Sequence, residues 1–480
     1  MRNTIRLITV LPILLAFLVA GCTLDAPESP QGLAMPEGTQ TFAKFGAIGN
    51  SLTAGFMDGG LMIDGQLNSF PRLIAQQIGL DASVGQSEFT QPYIAYPGIG
   101  TGTDSVSVGK LSSVLYFNGA DIDYLTYTPI TQLQSLAMLA TLPVPYHNMA
   151  VPGAKVYDMM NTIESATNPY YTLINRASFF GSETVPAQGQ IPGYETASCF
   201  RQAVAKGPTL MTVWIGNNDV LGAALSGNPT TGDITNPALF AQQYQGFLAS
   251  LAGGLLERTG FPAALVVANI PSITDIAYFM PLSVFETVVG GPWPGGYAEA
   301  DVQLVVFPAL GWATPGNAGT PVPGNLTLTA TEAQLIANTV TDYNTAIQGV
   351  IDAVNALGYA RVGLMDANAA LADAPTEYGP LATTHFMLAL AQVGNDPTVA
   401  ARATLFSLDG IHPNNIGYGY LANKFIAAIN TLVGTSVQEV DLAGLTWDPG
   451  HLHPAPAPTS ATAMPTIDAD IAGAMRNLFE

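Results

Sequence analysis

Short apolar runs that end in turn chemistry, set between stretches of helical periodicity, constrain this chain more than any other feature. Thr41–Ile48, Thr209–Ile215, Ala263–Ala268 and Tyr359–Met365 each read as a buried strand. Between them lie amphipathic helices. One spans Ser69–Ile78, with Phe70, Leu73, Ile74 and Ile78 on one face. The clearest spans Ala330–Leu357: Thr329 and Glu332 form a capping box, Ile336, Val340, Tyr343, Ile347, Val350 and Val354 form a stripe, and Gly358 is the stop. The last spans Tyr418–Leu432 and buries Leu421, Phe425 and Ile429. Strands separated by helices cannot pair through tight hairpins, so the pattern predicts an α/β domain with a largely parallel sheet.

Charge narrows the partners. Of 480 residues only 10% are charged and the formal net charge is −21, with Gly and Pro contributing 49 and 35 residues. A loop-rich, acidic protein with 14 Lys and Arg and no basic run lacks what phosphate backbones require, so no nucleic-acid partner is expected. Anionic headgroups would repel it too, so any membrane attachment should be covalent. Arg2 and Arg6 precede an apolar stretch from Leu7 to Ala20, followed by Val19-Ala20-Gly21-Cys22. This resembles a bacterial lipoprotein signal peptide over residues 1–21, which implies cleavage after Gly21 and lipidation of Cys22. Thr23 stands where an inner-membrane retention signal would place Asp, which favours the outer membrane in a host with two. With Cys22 acylated only Cys199 remains, so neither a disulfide nor a Cys-based metal site is expected.

Residues 22–40 read as a flexible tether and 41–433 as one domain, with poorly matching segments near 80–146 and 277–325 that look like insertions. Such long loops are either lids and binding surfaces or decoration. Residues 434–480, which include the Pro-rich HLHPAPAPTS, read as a C-terminal arm. There is no internal repeat.

Several blocks could carry chemistry. Gly49-Asn50-Ser51-Leu52-Thr53-Ala54-Gly55 follows an apolar strand and enters a helix, where a serine oxygen is exposed and developing negative charge is stabilised. Asn148-Met149-Ala150-Val151-Pro152-Gly153-Ala154 offers a glycine N–H, and Gly216-Asn217-Asn218-Asp219 offers an Asn side chain at a strand end. Alone, these also read as a helix cap, a turn into a helix and an Asx turn. Asp409-Gly410-Ile411-His412-Pro413 places a carboxylate beside a histidine, as a serine nucleophile's base requires. His147, His385 and His453 have no carboxylate in such short reach, and His451, which has Asp448 three residues before it, lies with His453 in the Pro-rich tail.

In this order the blocks resemble the G-D-S-L-S-x-G, N-x-A-x-x-G, G-x-N-D and D-x-x-H patterns of the SGNH, or GDSL-type, hydrolases, over roughly Phe42–Thr431. The resemblance implies a three-layer α/β/α sandwich with about five parallel strands, flavodoxin-like in plan. It implies Ser51 as nucleophile, His412 as base and Asp409 as its orienting acid. It also implies an oxyanion hole from the N–H groups of Ser51 and Gly153 and the side chain of Asn218. No metal or cofactor is implied. The expected activity is carboxylic-ester hydrolysis through an acyl-enzyme, with acyl lipids among the family's substrates. A carbohydrate O-deacetylase and a non-catalytic surface-binding lipoprotein are the alternatives. Asn50 departs from the family's Asp and Thr53 from its usual Ser.

Overall fold

The run after Thr41 becomes strand β1 (Phe45–Gly49), buried along its whole length. The computed structural model describes residues 41–450, apart from 86, 96–97, 101–113, 125–138, 140–143, 164, 166 and 176–197. The expected signal peptide, Cys22, the tether, and the tail holding His451 and His453 lie outside the described residues, as does part of 80–146.

After β1 the chain forms α1 (Ser51–Ala54) and α2 (Phe70–Gln77), then β2 (Asn148–Ala150), α3 (Val156–Asn161) and α4 (Cys199–Lys206). It continues through β3 (Leu210–Trp214), α5 (Asn218–Leu225), α6 (Pro237–Thr259) and β4 (Ala263–Ala268). The last core elements are α7 (Ala330–Leu357), β5 (Ala360–Met365), α8 (Ala367–Glu377) and α9 (Asn415–Val433). The five strands pair in parallel in the order β5-β4-β3-β1-β2. Helices α2 and α9 cover one face, and α3, α4, α6 and α7 the other. The molecule is therefore a three-layer α/β/α sandwich.

Stacked rings join the helices within each layer. Phe70 on α2 lies flat on Phe425 of α9 at 4.5 Å, and Phe240 on α6 lies flat on Tyr343 of α7 at 3.8 Å. Helix α7 starts and stops where its capping box and Gly358 predict, with all six stripe residues buried. Helix α9 differs from the reading of the sequence. It starts a turn earlier, at Asn415, because the Asn414 side chain accepts from the N–H groups of Ile416 and Gly417. Phe425 and Ile429 are buried as predicted, whereas Leu421 is only half-buried and lines a cleft.

From β1 the chain crosses to β2 on one side and then to β3 on the other. That reversal is a topological switch point, where the diverging loops leave a crevice at the carboxyl ends of the strands. Register makes the crevice specific: Gly49 of β1 is level with Ala150 of β2 and with Trp214 of β3. The chain thus leaves the sheet side by side toward Ser51, Gly153 and Asn218.

Outside the sandwich, Phe279–Pro281, Val302–Val306 and Thr327–Thr329 form a small antiparallel sheet within and beside the 277–325 segment. Ile99–Gly100, from the 80–146 segment, pairs with Gly60–Leu61. After α9 the chain doubles back along that helix. The Asn430 side chain bonds both the N–H and the C=O of Val437, and Asn423 does the same for Val440. Among the described residues no helix is long and apolar enough to cross a membrane.

Candidate active site

Ser51 is the first residue of α1, and Asn50 is its cap. The Asn50 side-chain oxygen accepts from the N–H of Leu52 at 3.1 Å, and its backbone carbonyl accepts from Thr53 and Ala54. Among the described residues every N–H of this first turn except that of Ser51 thus has a protein acceptor. An N–H left over at a helix N-terminus points where negative charge is favoured. The other side of Asn50 donates to the Asn217 side-chain oxygen at 3.0 Å, which joins the loops after β1 and β3.

The Asp409 turn is built to hold a carboxylate. One Asp409 oxygen accepts from the N–H groups of Ile411 and His412, both at 2.8 Å, and from the Ser407 hydroxyl at 3.1 Å. The other accepts from the Gly59 N–H at 3.0 Å and lies 2.8 Å from His412 Nδ1. Gly410 takes φ of 68°, and a Cβ there would stand 2.7 Å from the His385 ring, so only glycine completes the turn. Burial by itself would raise the Asp409 carboxyl, but His412 and the N–H donors outweigh it and hold the group below the ordinary carboxylate range.

His412 completes the chain. An ionised carboxylate only accepts, so Nδ1 carries the proton shared with Asp409, and Nε2 of the neutral ring accepts from the Ser51 hydroxyl at 2.9 Å. The Phe56 ring packs on the imidazole with centroids 4.6 Å apart. All three side chains are buried. A hydroxyl, a base within reach of its proton and an acid fixing the base's tautomer form the arrangement that activates a serine nucleophile.

The other sequence candidates fall beside this triad. The Asn218 side chain donates to the carbonyl of Ala154, the neighbour of Gly153, at 2.9 Å. Gly153 has φ of 79°, and its N–H has no acceptor among the described residues. Asn218 lines the cleft at Ser51, whereas Gly153 is not among its lining residues. Asp219 locks the same loops together by accepting from the Val156 N–H at 3.1 Å and the Thr235 hydroxyl at 2.8 Å. Burial pushes its carboxyl up to about 6.

His147 and His385 take structural places. Thr90 donates its N–H to His147 Nδ1 at 2.9 Å, and burial pushes this imidazole down to about 2. His385 caps the Phe386–Gln392 helix and lies within hydrogen-bonding distance of the Leu408 carbonyl. Burial pushes it down to about 3. Neither imidazole titrates in the neutral range. Cys199 is buried at the start of α4. Among the described residues no cluster of three His, Cys, Asp or Glu side chains is placed to hold a metal ion.

Asp58 escaped the sequence reading. It is fully buried at φ of 53°, a strained conformation for a residue other than glycine. Its carboxylate accepts from the Leu408 N–H at 2.9 Å and from the Trp447 indole N–H at 3.2 Å, while its own N–H donates to Ser407 at 3.1 Å. With Gly59 it clamps the turn that carries Asp409. No motif announces it, because its partners are some 350 residues away in the chain.

The triad opens into a cleft. Among the described residues Asn50, Ser51, Asn217, Asn218, Thr383, His412 and Tyr420 give it polar lining, and the remaining lining is mostly apolar. A family model described as GDSL-like Lipase/Acylhydrolase matches residues 45–425, a span that opens on the first residue of β1 and takes in every block. No curated relative matches the chain.

Proposed function

The chain belongs to the GDSL-like lipase/acylhydrolase family, and on that footing we propose that it is a serine hydrolase of carboxylic esters working through an acyl-enzyme. The observation that carries this reading is the unbroken run of hydrogen bonds Asp409–His412–Ser51 at the base of a cleft. His412 Nε2 takes the Ser51 proton as Oγ attacks the ester carbonyl carbon. The carbonyl oxygen becomes an anion facing the N–H groups of Ser51 and Gly153 and the Asn218 side chain, which supply the stabilisation that a preorganised oxyanion hole requires. His412 then hands the proton to the leaving alcohol. Water repeats the sequence, releasing the acid and restoring Ser51.

The apolar lining supports esters of lipid acyl chains over acetylated sugars, because an acetyl group would leave most of the cleft empty. We also infer attachment to the bacterial envelope through lipid on Cys22, at the outer membrane where two are present, on the signal that precedes it. Cys22→Ala should abolish incorporation of labelled fatty acid.

Hydrolysis of p-nitrophenyl esters from acetate to palmitate tests the activity. Ser51→Ala and His412→Ala should each lower turnover at least about 10³-fold. A preference for acetate alone would indicate a deacetylase. No turnover of any ester by the native protein would favour a surface-binding lipoprotein.

A further inference from the structure

The cleft has a directional wall. Ala367, Ala370, Leu371 and Ala374 line it from α8, at the i, i+3, i+4, i+7 spacing of a single helix face. Gly417, Tyr420 and Leu421 line it from α9. The three α8 alanines are buried, so the side-chain positions nearest the space are filled by the smallest residue that keeps a helix stable. Leucine or phenylalanine at these positions would occupy the room instead.

The two walls are tied together. The Tyr420 hydroxyl lies 2.9 Å from the Ala370 carbonyl oxygen and 2.7 Å from a Glu377 carboxylate oxygen, and Lys424 on α9 pairs with the same carboxylate. The spacing of α8 and α9 along this wall is therefore fixed. Ser51 and His412 line the same cleft, so a chain lying against the α8 face can be joined to the ester carbon that Ser51 attacks. The face from Ala367 to Ala374 runs about 10 Å at 1.5 Å per residue. C–C bonds of about 1.5 Å advance an extended chain by about 1.3 Å each, so a chain of about nine carbons spans that length.

We propose that the α8 face is the wall of an acyl-chain groove, that the substrates are medium-chain acyl esters, and that Ala374 sets how long a chain fits. This rests on the ester-hydrolase reading and specifies which part of the substrate the cleft holds. Methylenes that enter the groove leave water, so kcat/KM should rise about two- to fourfold with each until the groove is full.

The test measures kcat/KM for p-nitrophenyl acetate, butyrate, octanoate and palmitate with the native protein, Ala374→Phe and Leu371→Ala. In the native protein octanoate should exceed acetate at least tenfold. Ala374→Phe should cut the octanoate-to-acetate ratio at least tenfold, a change that loss of folded protein could not produce because both substrates would fall together. Leu371→Ala removes apolar wall from the groove at a half-buried position and should lower the octanoate-to-acetate ratio at least about threefold, which keeps the test decisive if the Phe variant does not fold. Native preference for octanoate with ratios untouched in both variants would overturn the groove assignment and leave the hydrolase reading intact. Acetate preferred by the native protein would overturn the groove as well. Absence of turnover on all four esters would remove the hydrolase reading on which the groove rests.

Discussion

Asn50 holds an amide where the family pattern has a carboxylate, and Asn217 provides its partner. The Asn50 oxygen takes the Leu52 N–H, as a carboxylate would, while the amide nitrogen donates to Asn217. A carboxylate at 50 could accept from Asn217 once that amide turned over, since Asn presents a donor and an acceptor about one axis. Asn50→Asp should therefore fold and keep its rate within about tenfold of native, the scale of one hydrogen bond in such a site. Asn218→Ala, by contrast, removes a proposed oxyanion donor and should lower kcat by about 10²–10³-fold in steady-state ester assays. Two buried carboxylates titrate with opposite sign. Asp409 is held low, so its contribution to stability is present above the ordinary carboxylate pKa and is lost as pH falls through its own. Asp219 is raised from 3.8 to about 6, so its contribution is present below pH 4 and is lost as pH rises through 6, a cost of about 3 kcal/mol for the ionised form. Asp219→Asn can keep both hydrogen bonds with Val156 and Thr235. Melting curves should show this variant gaining on the native protein between pH 4 and 6; a constant difference would contradict the assignment.

At the scale of elements, what was legible in the sequence depended on length and on local chemistry. Helix α7 was legible to the residue because its cap, stripe and stop all lie within it, and Thr329→Ala should cost about 1 kcal/mol in chemical denaturation while leaving ester turnover unchanged. Strand β2 was missed: at three residues it shows no period, and only its pairing with β1 defines it. Helix α6 carries Phe240, Tyr244, Phe247, Leu248, Leu251 and Leu255 inward, a pattern present in the sequence that the reading passed over. The segment after α9 is fixed by Asn423 and Asn430 reaching out to its backbone, and nothing in its own residues announces that docking. Its Trp447 reaches Asp58, and through it the Asp409 turn. Trp447→Phe leaves one oxygen of a buried carboxylate without its indole donor and should destabilise the fold by about 1–3 kcal/mol in the same denaturation experiment.

At the scale of the whole molecule, the site is a consequence of strand order. Ser51, Asn218 and the Asp409–His412 turn are separated by most of the chain, yet level register at Gly49, Ala150 and Trp214 sends the first loops out together, and the last helix brings His412 over them. Individually ambiguous blocks become legible together because their order matches the family's patterns. The supports do not, since Asp58, Ser407 and Asn217 act through contacts across the fold that no local spacing encodes. The central claim is that this convergence makes Ser51 an activated nucleophile. The most direct measurement is intact mass and peptide mapping after treatment with a fluorophosphonate. The account expects a single adduct on Ser51, absent in Ser51→Ala and formed at least about 10³-fold more slowly in His412→Ala. An unlabelled native protein, or an adduct on another residue that persists in Ser51→Ala, would contradict it.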